Sequence, residues 1–232
     1  MATIINIETS GSVCSAAVTS DGLVPVHRED FKGRNHAALL SGYLKDCLDF
    51  CSEHSIKPDA VAVSLGPGSY TGLRIGLSEA KGLAYALEIP LIGIPTLELL
   101  AATALFEADL ADPDTIYIPM VDARRMEVYT GAYDIALQPV MEPQALILDE
   151  NSYAELRATG RPLAFFGSGA EKARPFFENC PQALFVPNIE PLAMNMAALS
   201  DLAYSRGNFV DTAYSTPIYI KDFQATKPKK LV

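Results

Sequence analysis

Gly72, Gly76, Ala80 and Ala84 recur every four residues along a helix predicted from Tyr70 to Leu87. Glycine inside a helix costs about 1 kcal/mol relative to alanine, so two on one stripe call for another backbone at close range. That neighbour is either the sheet of the chain's own domain or a helix of a partner. Leu73, Leu77, Leu83 and Leu87 supply apolar surface beside or opposite the stripe. The preceding helix, Asn35 to Cys51, carries Leu40, Leu44, Cys47 and Cys51 in one row and Leu39, Tyr43 and Phe50 in a second. Helices apolar on two sides bury one against their own sheet and offer the other to a partner. Leu40, Tyr43, Leu44, Leu73, Gly76 and Leu77 are therefore expected to contribute to a partner surface. A bulky residue at Gly76 should then remove the partner and leave the chain folded. The competing reading makes both faces internal to a three-layer fold.

The rest of the chain reads as two similar halves. Strands are predicted at Thr3–Glu8, Val13–Thr19 and Leu23–Phe31, with Asp21-Gly22 as a hairpin turn. The helix Asn35–Cys51, a buried strand Ala60–Leu65, the helix Tyr70–Leu87, a short strand Leu91–Ile94 and a helix Thr96–Phe106 follow. The Asp, Ala and Pro of residues 109–113 mark a boundary, giving halves 1–108 and 109–232. Strands resume at Thr115–Val121, Glu127–Tyr133 and Val140–Leu148, then helix Ser152–Ala158, strand Leu163–Phe166, helix Ala170–Phe177, a strand near Phe185–Pro187 and helix Leu192–Ser205. Where that last helix packs is open, and in a two-domain fold it can return to the first half. A half repeated at roughly 100 residues implies two α/β layers, each with its own core. Each half's first strand ends in an acid, Glu8 before Thr9-Ser10 and Asp122 before Ala123-Arg124, as in folds that hold a nucleotide between two halves.

Composition and motifs exclude several functions. Eighteen Lys and Arg against 28 Asp and Glu give a formal charge of −10, which disfavours a chain that grips nucleic acid alone. Lys221, Lys227, Lys229 and Lys230 crowd the C-terminus, where a solvated, frayed end is the plain reading. The most apolar region, 82–106, is broken by Glu88, Pro90, Pro95 and Glu98, so no membrane span is expected. Cys14, Cys47, Cys51 and Cys180 lack disulfide or zinc spacing, which suits reduced thiols in the cytoplasm. The turn Gly66-Pro67-Gly68-Ser69 joins strand to helix, yet no lysine completes a phosphate loop and the dinucleotide spacing is missing. His27, His36 and His54 are too scattered for a metal pair. Gly167-Ser168-Gly169 reads equally as a nucleotide-facing loop or an ordinary turn, and Arg124-Arg125 beside Asp122 as a salt-bridge cluster or an anion site.

The segment Gly66-Pro67-Gly68-Ser69-Tyr70-Thr71-Gly72-Leu73-Arg74-Ile75-Gly76, continued by Ala80-Lys81-Gly82-Leu83-Ala84, closely resembles the TsaB (YeaZ-like) family. Ile7-Glu8-Thr9-Ser10 and Asp122-Ala123-Arg124-Arg125-Met126-Glu127-Val128-Tyr129 are similar to its other hallmarks. Pro217-Ile218-Tyr219-Ile220-Lys221 resembles its C-terminal Pro-x-Tyr-x-Arg with Lys in the last place. The resemblance implies a two-domain α/β fold of the actin/Hsp70 type, each half ribonuclease-H-like. It also implies a role in forming N6-threonylcarbamoyladenosine at position 37 of ANN-reading tRNAs. The chain would be the non-catalytic, cytoplasmic partner of the paralogous transferase TsaD, joined by the ATPase TsaE, meeting tRNA only through the complex and pairing with itself when isolated.

The residues agree with a non-catalytic role. Transferase-like paralogues read approximately Gly-Val-Asn-His-Leu-Glu-Gly-His where this chain has Gly93-Ile94-Pro95-Thr96-Leu97-Glu98-Leu99-Leu100, so the metal-binding histidines fall on Thr96 and Leu100. No cofactor or metal is expected. Glu8, Thr9, Ser10, Asp122, Gly167 and Gly169 are the expected residual nucleotide-cleft positions. The alternative is an ATP-dependent enzyme of the same fold acting on a small molecule.

Overall fold

The structure, a computed structural model, describes residues 2–33, 35–108 and 111–221. Among these described residues, ten strands form two five-stranded mixed sheets. In the first half, β1 (Thr3–Glu8), β2 (Cys14–Ser20), β3 (Leu23–Asp30), β4 (Ala60–Gly66) and β5 (Leu91–Pro95) stand in the order β3-β2-β1-β4-β5. In the second, β6 (Ile116–Asp122), β7 (Glu127–Tyr133), β8 (Pro139–Ile147), β9 (Leu163–Phe166) and β10 (Ala183–Val186) stand in the order β8-β7-β6-β9-β10. These are one topology used twice: an antiparallel meander of three strands, then two strands added parallel to the first. Residues 109–110, the first two of the boundary segment 109–113, lie outside the described residues, as do Lys227, Lys229 and Lys230.

Strands β1 and β4 are buried on both faces; β4 is accordingly almost wholly apolar, whereas β1 also buries Thr3, Asn6 and Glu8. Ile5, Ile7, Val61 and Val63 meet α1 (His36–Glu53) and α2 (Tyr70–Leu87) on one side. Ile4, Ala60, Ala62 and Ile92 meet α3 (Thr96–Glu107) and the helix near residue 199 on the other. Helix α3 is apolar nearly all round because both of its sides are covered. Leu99 and Ala102 join the first half's core, while Leu97, Leu100, Ala101 and Ala104 pack with Tyr117, Ala164 and Phe166 of the second.

The second half is more lightly covered. Its outer face is closed by α4 (Ala154–Ala158) and an aromatic group of Tyr153, Phe165 and Phe177. The helix expected at 170–177 is two 3-10 turns, Ala170–Lys172 and Arg174–Phe176. Pro175, which has no N–H to give to a helical ladder, sits in the second of them. The helix expected from Leu192 begins as a 3-10 turn, Ala193–Met196, and becomes α5 (Ala197–Ser205). Met196 and Leu199 pack against the first sheet, so the chain recrosses to its starting half. It continues there: Val210 N–H donates to Leu91 O (2.9 Å) and Ile218 N–H to Leu65 O (2.7 Å).

Candidate functional site: a closed cleft and an open helical face

Thr9 and Ser10 follow β1 directly, and the N-terminus of α2 is pressed onto them. Ser69 N–H donates to Ser10 O (2.7 Å), Thr9 Oγ1 donates to Gly72 O (2.8 Å), and Ser69 Oγ caps Gly72 N–H (3.2 Å). A side chain on Gly72 would overlap Thr9 O, one on Gly76 would overlap Thr9 Oγ1, and one on Gly68 would overlap Ser10 O. The four-residue stripe is thus the contact between α2 and its own sheet.

That finding corrects the expected partner surface. Leu40, Leu44, Leu73, Gly76 and Leu77 are buried, and all but Leu44 turn away from the open face of the helix pair. Tyr43 is half-buried at the margin of the same core. The face left open lies on the other side of both helices. Ala37, Ser41, Leu44 and Leu48 of α1 and Thr71, Ile75, Ser78 and Gly82 of α2, with Leu83, line a groove of about 1040 Å³. Each row follows the spacing of three and four residues that marks one face of a helix. Lys45, Asp49, Arg74 and Glu79 stand around it as a polar rim. Tyr70, near the start of α2, stacks on Tyr219 of the returning chain (5.4 Å between ring centres), and the Arg74 guanidinium lies over the Tyr70 ring (4.2 Å).

The expected cleft positions are largely shut. Glu8, Thr9 and Ser10 have at most 2% of their surface exposed. Gly11 lies under Pro191, and Glu190 comes to the same turn, so an acid stands where an anion would enter. The Glu8 Oε1 atom accepts from Ser10 N–H, whereas Glu8 Oε2, Ser10 Oγ and Ser64 Oγ have no hydrogen-bond partner among the described residues. Burial pushes the Glu8 carboxyl up to about 7, against the lowering effect of the Ser10 and Ser64 hydroxyls beside it and of nearby backbone N–H groups.

In the second half, Asp122 is partly exposed but already engaged. Its Oδ1 accepts from Lys172 Nζ (2.5 Å) and Arg124 N–H (2.5 Å), and its N–H donates to Ser168 Oγ (3.1 Å). Gly167, at φ +90°, and Gly169 are packed so closely on β6 and β7 that side chains there would meet Met120 O of β6 (2.6 Å) and Val128 of β7 (2.8 Å), respectively. Both glycines thus serve close packing on the second sheet, at β6 and β7. Thr96 and Leu100 are buried in α3. Among the described residues no group of His, Cys, Asp and Glu has the arrangement of a metal site. Burial raises the Cys14 thiol to about 11 and the Cys47 thiol to about 12, which keeps both protonated and unreactive. Among the described residues no helix is long and apolar enough to cross a membrane.

Comparison with known proteins agrees with this architecture. The family model described as TsaD, tRNA N6-adenosine threonylcarbamoyltransferase, matches residues 15–225. The tRNA threonylcarbamoyladenosine biosynthesis protein TsaB of Bacillus subtilis is 31% identical over 181 residues, 76% of each chain. The chain belongs to the TsaB family. The TsaB of Escherichia coli is 27% identical over 97% of this chain and 96% of its own. The solved structure of YeaZ from Pseudomonas aeruginosa superposes on this TsaB-family chain with a TM-score of 0.75 at 26% identity, covering 94% of this chain and all of that one. A second structure from the same organism, described as similar to peptidase YEAZ, matches equally well over 95%.

Proposed function

We propose that this TsaB-family chain acts in tRNA threonylcarbamoyladenosine biosynthesis as the non-catalytic partner of a TsaD-type transferase. The observation that carries the reading is the groove between α1 and α2: apolar at its floor, polar at its rim and open to solvent. That anatomy matches the buried centre and wet edge of a protein interface. The small residues Ala37, Ser41, Ser78 and Gly82 leave room for a second helix pair to lie close. A paralogue built on the same fold carries such a pair, and two copies of this chain would use the same face when the transferase is absent. The closed cleft supports a role without chemistry, since β1 and its turn are covered by the chain's own α2 and by Glu190-Pro191. The finer assignments follow from this reading: position 37 of ANN-reading tRNAs as the site modified, TsaE as a third component, and the cytoplasm as the location.

Ile75→Asp places a charge at the centre of the groove, at a half-buried position on the margin of the first half's core. It is expected to weaken binding of the TsaD protein by at least about thirtyfold, the loss of one interface hot spot, while the chain still folds with its melting temperature lowered by a few degrees. Titration calorimetry against purified TsaD reads the affinity, and full binding by a folded Ile75→Asp chain overturns the docking assignment. Reconstitution with TsaD, TsaE and tRNA tests the absence of chemistry. Glu8→Gln and Asp122→Asn chains should sustain the wild-type modification rate, and a loss of tenfold or more with either would place catalysis in this chain.

A further inference from the structure

The turn between β6 and β7 holds Arg124 at φ +72° and Arg125 at φ +50°, a backbone region that side chains other than Asn, Asp and His seldom adopt. The turn is fastened at both ends. Asp122 Oδ1 accepts from Arg124 N–H, Ala123 N–H donates to Glu127 O (3.1 Å), and Glu127 N–H donates to Arg124 O (3.1 Å). Two more cations lean on the same turn from distant parts of the chain. Lys172 Nζ donates to Asp122 Oδ1 and to Glu127 O (3.0 Å), and Lys221 Nζ pairs with Glu127 Oε1. The two carboxylates are therefore taken by the two lysines, and the neighbouring Glu171 is taken by Arg174. Both arginines are exposed, and among the described residues neither guanidinium has a partner. A chain of net charge −10 thus presents, at one turn, four cations against two carboxylates.

The position of the turn says what it can reach. Lys221 is two residues beyond Tyr219, whose ring packs on Tyr70 and whose hydroxyl accepts from Arg74 Nε (3.2 Å) at the rim of the groove. The arginine turn therefore borders the face assigned to the transferase. Guanidinium groups are weakly hydrated and match phosphate oxygens in pairs. Contacts of this kind position an RNA backbone without reading its bases.

We infer that the Arg124-Arg125 turn, with Lys172 and Lys221 behind it, is a contact for the phosphate backbone of the tRNA held by the assembled complex. The inference rests on the proposed pairing with TsaD, because alone the acidic chain repels a polyanion. The test is binding of labelled tRNA to the purified complex of this chain with TsaD, by fluorescence anisotropy over a range of salt concentrations. Arg124→Gly/Arg125→Gly removes both charges and suits the left-handed backbone. It is expected to weaken binding about tenfold near 0.1 M salt. The slope of log K against log salt should fall by about 1.5, as for two lost phosphate contacts. Arg124→Lys/Arg125→Lys should keep most of that slope. Unchanged affinity and slope in an intact Arg124→Gly/Arg125→Gly complex overturn the inference. So does a complex that falls apart with that variant while the chain stays folded, which would assign the arginines to acidic groups of TsaD. Failure of the wild-type chain to bind TsaD, or of their complex to bind tRNA, overturns the pairing as well and is distinguished by the wild-type controls. If the double glycine chain does not fold, Arg125→Gly alone should lower the slope by about half as much, and an unchanged slope there overturns the inference.

Discussion

Replacing Gly76 with leucine is expected to destabilise the chain's own fold rather than to release a partner from it. A Cβ at this position overlaps Thr9 Oγ1, which is fixed by its own donation to Gly72 O (2.8 Å). Helix α2 must retreat from β1 to admit the larger side chain. Retreat breaks the Ser69 N–H to Ser10 O bond and opens the core of Ile7, Val63, Leu77 and Ala80. Overpacking of this kind costs typically 1–3 kcal/mol and more where backbone has to move, so a loss of about 3 kcal/mol is expected. For a chain of 232 residues that lowers the melting temperature by roughly 6–12 °C. Gly82 provides the contrast on the same helix. Nothing lies within 4 Å of its would-be side chain, so Gly82→Ala should stabilise the helix by about 1 kcal/mol. Equal melting temperatures for Gly76→Leu and wild type, measured by circular dichroism, would show that α2 does not need this approach.

The two halves were legible because each strand is a short β-rich run bounded by turn residues, and that pattern recurs. Both five-stranded sheets formed where the runs stood. The stripe on α2 was legible as a demand for close approach, but spacing cannot say what approaches. Thr9 and Ser10, more than sixty residues away in sequence, supply the answer only once β1 and β4 are paired. The face that stays open was missed for the opposite reason. Its rows 37-41-44-48 and 71-75-78-82 mix Ala, Ser, Thr and Gly with Leu and Ile, so hydrophobic periodicity passes over them. The spacing alone, read for small residues on both helices at once, would have found it. The helix expected at 170–177 failed on Pro175. The arginine turn could be read from Asp122-Ala123-Arg124-Arg125 only as one of two alternatives. Lys172 and Lys221, which satisfy the local acids and leave the arginines over, come to it from 50 and 94 residues away.

Glu8→Gln is expected to make the chain more stable at neutral and alkaline pH and to leave it unchanged in acid. The carboxyl is fully buried, and only its Oε1 atom is engaged, by Ser10 N–H. Desolvation by burial dominates and raises its pKa from 4.5 to about 7. In the folded chain Glu8 therefore holds its proton over a range where the unfolded chain has released it. A folded-state pKa above the unfolded one means that Glu8 favours the fold below about pH 4.5. That contribution is lost as pH rises to about 7 and stays lost above it. The difference corresponds to about 3 kcal/mol, taking 1.36 kcal/mol per pH unit. Glutamine keeps the acceptor for Ser10 N–H and carries no charge at any pH. Its amide also brings N–H donors within reach of the neighbouring Ser10 and Ser64 hydroxyls, where the protonated acid has a single O–H to offer. Glu98 and Glu190, which burial also raises, slope the same way in both proteins. Denaturant titrations at pH 4 and pH 8 isolate the Glu8 part: the variant should match wild type at the first and exceed it by about 3 kcal/mol at the second. A variant that is less stable at pH 8 would mean that the ionised carboxylate is held by a partner in the folded chain. The turn after β1 would then be a charged site, and the reading of a cleft closed by the chain's own α2 would have to be given up.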